Sequence, residues 1–89
     1  MITLIFTKKA EKTFLSLTKG NQNRIIRKLS VLKNHEDIFS VLKPLTNFEP
    51  ATHRLRIGNV RVILGLNRQN KKDFIFYVLD VGLRKDIYR

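Results

Sequence analysis

Cysteine and tryptophan are missing from this 89-residue chain, and it has only 2 prolines and 2 histidines. Without cysteine there is neither a disulfide framework nor a thiolate metal site. His35 and His53 alone are a poor basis for a protein-built zinc site, so no metal or other cofactor is expected. No segment approaches the roughly 20 apolar residues needed to span a bilayer. Nor does any N-terminal stretch combine a basic region, an apolar run and a small-residue cleavage site. A cytoplasmic setting is the expectation, with no membrane role.

Acidic residues are also scarce. Seven Asp and Glu stand against 18 Lys and Arg, for a formal charge of +11 and a pI near 10.6. Such a balance favours a polyanionic partner. The plainer reading, that lysines keep a small protein in solution, is countered by where the arginines sit. At 43% hydrophobic residues the chain is globular in composition, and its length suits one domain over residues 1–89. A domain this small buries only about 60–65% of the surface its unfolded form exposes, so its core must be well filled.

Ile2 to Phe6 reads as a strand, and Thr7 as a cap for a following helix. Ala10, Phe14 and Leu17 repeat at helical spacing, with an end expected near Lys19-Gly20. A second helix starts after Asn21. Its buried row is Ile25, Leu29 and Leu32, with Ile26 beside it, while Arg24, Arg27, Lys28 and Lys33 face water. Phe39, Leu42 and Leu45 anchor a less regular stretch punctuated by Pro44 and Pro50.

From Thr52 the period changes to two. Residues 52–57 alternate, residues 60–66 return after a Gly58-Asn59 hairpin signal, and residues 73–81 form a third strand ended by Gly82. The nearly unbroken apolar run from Phe74 to Leu79 suggests burial on both faces. The expected fold is α+β: a small antiparallel sheet with an N-terminal helical hairpin on one face, in the order β-α-α-β-β-β.

Arg54 and Arg56 lie two apart on a strand and project from one face, opposite to Leu55. The hairpin brings Arg61 alongside them. Arg84 and Tyr88 follow the last strand four residues apart, and on a helical turn they would share a side. Like charges so close are destabilising, which suggests that they are kept for an anion. Guanidinium suits phosphate through its two parallel donors, and a tyrosine could stack on a base.

These segments resemble the RelE/ParE superfamily of bacterial toxins from toxin–antitoxin pairs. The resemblance lies in Leu45, in Arg54-Leu55-Arg56-Ile57-Gly58-Asn59-Val60-Arg61-Val62-Ile63, and in the stretch from Val78 through Gly82-Leu83-Arg84-Lys85 to Tyr88-Arg89. It implies a ribosome-dependent mRNA endonuclease neutralised by an antitoxin that wraps it, with operator DNA met only through that complex. By the same resemblance Arg54, Arg56, Arg61 and Arg84 surround the scissile phosphate, and Tyr88 stacks on or orients the nucleotide. Arg61, Arg84 and Tyr88 are then the catalytic candidates, and Arg54, Arg56 and Lys85 hold RNA.

Two positions depart from the pattern. Some RelE-like enzymes carry lysines where Arg54 and Arg56 stand, and arginine cannot give up a proton as a general base. Many relatives carry histidine at the position of Leu83, which removes a natural general acid. His53 shares the Leu55 face and reads as structural, while Glu49 is a weak candidate base on a loop. The alternatives are a ParE-like gyrase inhibitor that cuts nothing and a non-catalytic module that only holds an acidic partner.

Overall fold

The computed structural model describes residues 1–68 and 72–83. Strand β1 spans Ile2–Phe6, helix α1 Lys8–Leu15 and helix α2 Lys19–Lys33. After a short 3-10 turn at Ile38–Ser40 come β2 (Lys43–Pro44), β3 (His53–Ile57), β4 (Val60–Arg68) and β5 (Phe74–Leu83). They make one five-stranded sheet in the order β1-β5-β4-β3-β2. The expected α+β order is present, and β3, β4 and β5 form the antiparallel meander. The sheet as a whole is mixed, because β1 runs parallel to β5, pairing Ile2 with Phe74 and Phe6 with Val78. A pairing across more than seventy residues leaves no local trace in the sequence.

Thr7 joins three elements. Its backbone N–H donates to the Val78 carbonyl at 3.1 Å, and its hydroxyl accepts from the Ala10 N–H, also at 3.1 Å. That single residue ends β1, caps α1 and moors both to β5.

Helix α1 ends earlier than expected. Thr18 caps α2, accepting from the Asn21 N–H at 3.2 Å, so Gly20 lies in the first turn of α2 rather than beyond the end of α1. Two cap signals compete over this stretch, and the hydroxyl that satisfies an orphan N–H prevails over the glycine. Gln22 secures the bend, its side-chain amide donating to the carbonyls of Leu15 and Leu17 at 3.3 and 3.0 Å.

The helices cover one face of the sheet. Ala10, Ile25, Leu29 and Leu32 meet Leu55, Val60, Val62, Leu64, Phe76, Val78 and Val81 in a single buried core. Ile26, expected beside the buried row, is instead 53% exposed, since its position turns it away from the sheet. Arg24, Arg27, Lys28 and Lys33 are exposed as expected. His53 packs on this helix side, its ring 5.5 Å from that of Phe39 and 6.0 Å from that of Phe76, with Nδ1 2.9 Å from the Thr52 hydroxyl.

Two further expectations are corrected. Gly82 does not end β5; it lies within it, opposite Arg61. The apolar run in β5 is buried on the helix side at Phe76 and Val78, while Ile75, Tyr77 and Leu79 on the other face are only half-buried. A bulge shifts the register between Ile63 and Leu64, so that Ile63 pairs with Asp80 and Leu64 with Val78. Leu79 is the extra residue, and Asp80 and Gly82 thereby fall on the face away from the helices.

The chain between β2 and β3 lies against that face. Leu45 donates to the Thr52 carbonyl at 2.9 Å, Thr52 donates to the Leu64 carbonyl at 2.8 Å, and the Thr52 hydroxyl accepts from Leu66 at 2.8 Å. Gly65 permits this close approach: a Cβ there would stand 3.1 Å from both the Pro50 carbonyl oxygen and Leu79 Cδ1. Gly65→Ala should therefore destabilise the fold by about 1–3 kcal/mol, measurable by urea unfolding.

Burial lowers the pKa of His53 from its ordinary 6.5 by desolvating the charged form. The neutral ring is thus favoured in the folded protein, and its contribution to stability is complete above pH 6.5. As pH falls below that value the unfolded chain takes the proton first, so stability drops until the lowered folded pKa is passed. Melting temperatures between pH 7.5 and 5 should fall more steeply for the wild type than for His53→Phe.

Candidate nucleic-acid interface

The face turned away from the helices carries the arginines. In the β3–β4 register Arg56 stands directly opposite Arg61, and Arg54 opposite Ile63. Strand β2, although only two residues long, sets Lys43 opposite Arg54. Pro44 is tolerated there because an edge strand needs no outward donor. Four cationic side chains thus share one side of a three-strand patch, with Asp80 across β4 beside Ile63.

The turn organises two of them. Gly58 takes φ of +60°, and the positive φ is confined to the first of the two turn residues, as in a type II′ hairpin turn. The Gly58 carbonyl then accepts from Arg56 Nε at 3.4 Å and from Arg61 Nη1 at 3.2 Å. Arg61 Nη1 also donates to the Val60 carbonyl at 3.4 Å. One backbone dipole therefore draws two guanidinium groups together against their repulsion. Opposite them Gly82, the cross-strand partner of Arg61 on β5, presents no side chain to contest the space.

Exposure separates the pair. Arg56 is exposed and Arg54 half-buried, whereas Arg61 is only 3% exposed. The sequence placed all three on one face, and the structure does bring them together. It also sets them at different depths, which alternation cannot reveal. Arg84, Lys85 and Tyr88, the remaining candidates, lie outside the described residues. His53 is on the opposite side of the sheet among aromatic rings, and Glu49 is exposed on the loop.

Two cations escaped the sequence reading. Lys43 joins through β2, too short a strand to show a period. Arg24 reaches the hairpin tip from α2: a Cβ added to Gly58 would be 4.0 Å from Arg24 Nη1. With Arg27 and Lys28 it lines a shallow depression that ends at Ile57. Helix α2 contains no acidic residue, so positive charge continues from the helix around the turn to the open face.

No family model matches the chain, and no curated protein does. Solved structures do. A chain of the archaeal RelE–RelB complex from Pyrococcus horikoshii is similar over 93% of this protein and 94% of its own length, at 22% identity and a TM-score of 0.69. The RelB–RelE antitoxin–toxin complex from Methanococcus jannaschii matches over 94% of both chains, at 23% identity and a TM-score of 0.67. The RelBE2 toxin–antitoxin complex from Mycobacterium tuberculosis matches over 92% and 96%, at 22% identity and a TM-score of 0.61. At such identities the likeness establishes a shared fold over more than nine-tenths of the chain.

Because Arg56 faces a like charge across the hairpin, removing it should relieve strain. Arg56→Gln is expected to raise stability by about 0.2–1 kcal/mol at low ionic strength, with less gain in high salt. Thermal melts at two salt concentrations would measure both.

Proposed function

We propose that this protein is the toxin of a toxin–antitoxin pair and that it cuts ribosome-bound mRNA. The observation that carries this reading is the Arg56–Arg61 cross-strand pair, gathered on one carbonyl beside Arg54 and Lys43. It is supported by a fold shared over more than nine-tenths of the chain with chains of RelE–RelB complexes. The partners on this reading are a cognate antitoxin, which covers the basic surface, and the ribosome with its message. Operator DNA is met only through the toxin–antitoxin complex, and the setting is the cytoplasm.

The chemistry is attack by the RNA's own 2′-hydroxyl on the adjacent phosphate. The 2′-oxygen loses its proton to water and bonds to phosphorus while the P–O5′ bond breaks. The 5′-oxygen takes a proton and leaves as a hydroxyl, with a 2′,3′-cyclic phosphate behind. That requires an in-line geometry and stabilisation of the charge gathering on the phosphoryl oxygens. Arg56, the exposed guanidinium, meets the backbone first, and Arg54 and Lys43 hold the flanking phosphates. Arg61 supplies positive charge from beneath, its orientation fixed by two carbonyls before any substrate arrives. Arg84 adds to that charge, Lys85 binds backbone, and Tyr88 orients the nucleotide. Orientation of this kind supplies roughly 7–11 kcal/mol in well-aligned reactions.

The test is cleavage of ribosome-bound mRNA in a purified translation system. The wild type should cut within the decoding site, and Arg56→Ala, Arg61→Ala and Arg84→Ala should each lower the rate by about 10²–10³. Intact message with the wild type would reject the nuclease reading and favour a gyrase target, which a supercoiling assay would reveal.

A further inference from the structure

Beside the cationic row lies a cavity of about 480 Å³, lined by Leu45, Phe48, Pro50, Ile63 and Leu79, with the ion pair of Lys9 and Asp80 also in its lining. The loop from β2 to β3 forms one wall and the open face of the sheet the other. Ile63 ties the cavity to the arginines, for it stands between Arg54 on β3 and Asp80 on β5. An occupant of the cavity thus has positive charge within one strand spacing of it.

We infer that this cavity receives one unstacked guanine base of the RNA whose phosphates the arginines hold. The inference rests on the RNA reading above and names the sequence preference of that site. The walls are apolar, as the faces of a base require, and Phe48 is 57% exposed at the mouth, where a ring can stack. The single acidic group selects the edge. Asp80 Oδ1 accepts from the Val81 N–H at 2.9 Å, and Oδ2 lies 3.4 Å from Lys9 Nζ. A carboxylate has about four acceptor sites, so both oxygens keep capacity for another donor.

Guanine is the base that presents two adjacent donors, N1–H and the 2-amino group, to a pair of carboxylate oxygens. Adenine and cytosine set an acceptor beside their amino group, and uracil flanks its one N–H with carbonyls. An acid-rich peptide would also suit the arginines, but the walls beside them are mostly apolar and suit the flat faces of a base better than carboxylates.

The loop is built to hold this shape. Asn47 adopts φ of 61°, and the Ala51 N–H closes the turn on the Phe48 carbonyl at 2.8 Å. With Thr52 anchored on β4, the wall carrying Phe48 is fixed before a ligand arrives.

The experiment is equilibrium binding of the full chain to labelled hexaribonucleotides that carry guanosine, inosine, adenosine or an abasic site at one position. Guanosine should bind about tenfold more tightly than inosine or adenosine. Asp80→Asn should erase that preference. Phe48→Ala should weaken the guanosine RNA to the level of the abasic one, while Arg56→Ala should weaken every RNA by the same factor. Circular dichroism would confirm that each variant is folded; Asp80→Asn preserves shape, and Phe48 is exposed in the wild type. Equal wild-type binding to all four RNAs would overturn the inference, and ribosome-dependent cleavage would then still stand or fall on its own assay. Displacement by an acid-rich peptide without any base preference would give the cavity to a protein partner and overturn it too.

Discussion

Strand β5 carries hydrogen bonds on both edges, to β1 on one side and to β4 on the other, and the architecture follows from that double commitment. Being central, it can be strongly apolar, and Phe76 and Val78 within it are fully buried beneath the helices. Being parallel to β1, it requires the intervening chain to cross over: the helical hairpin carries it toward the far edge at β2, and β3 and β4 bring it back. The bulge at Leu79 then changes which residues face outward. Before it the odd-numbered positions point away from the helices; after it the even-numbered ones do. This shift brings Asp80 and Gly82 to the side of Arg61 and leaves Val81 in the core.

The open face sets two chemistries side by side. A hairpin turn and a two-residue edge strand gather cations, while a loop laid across the sheet encloses apolar space. Both depend on residues without a side chain: Gly58 permits the turn, and Gly65 lets the loop come close. The cations Lys43, Arg54, Arg56 and Arg61 come from one small segment, between β2 and the start of β4, while the apolar space also takes Ile63 from β4 and Leu79 from β5. Among the described residues, no helix is long and apolar enough to cross a membrane.

Local signals in the sequence were sufficient for much of this. The spacing of Ile25, Leu29 and Leu32 exposed α2, the Gly58-Asn59 pair exposed the hairpin, and the alternation of Arg54 and Arg56 exposed their common face. What escaped was set by contacts remote in sequence. Alternation assigns a face but not a depth, so the burial of Arg61 could not be read. Helical spacing turned Arg24 toward water, and only the docking of α2 on the sheet brings its guanidinium to Gly58. Lys43 depends on a pairing of two residues, and the parallel partner of β1 lies at the other end of the chain. In the sequence Gly20 reads as a helix end, and only the bond from Asn21 to the Thr18 hydroxyl shows that the second helix already begins ahead of it.

The facing arginines of the hairpin also couple folding to binding. Two guanidinium groups on one carbonyl make the free fold less stable than its core alone would allow, and an anion that settles between them removes the repulsion. Folding and association then draw on the same free energy, so apparent stability rises with the concentration of any polyanion that binds the folded state. At a hundredfold excess over its dissociation constant such a ligand adds about 2.7 kcal/mol. For a chain with a net charge of +11, the melting temperature thus becomes a property of the mixture as much as of the sequence.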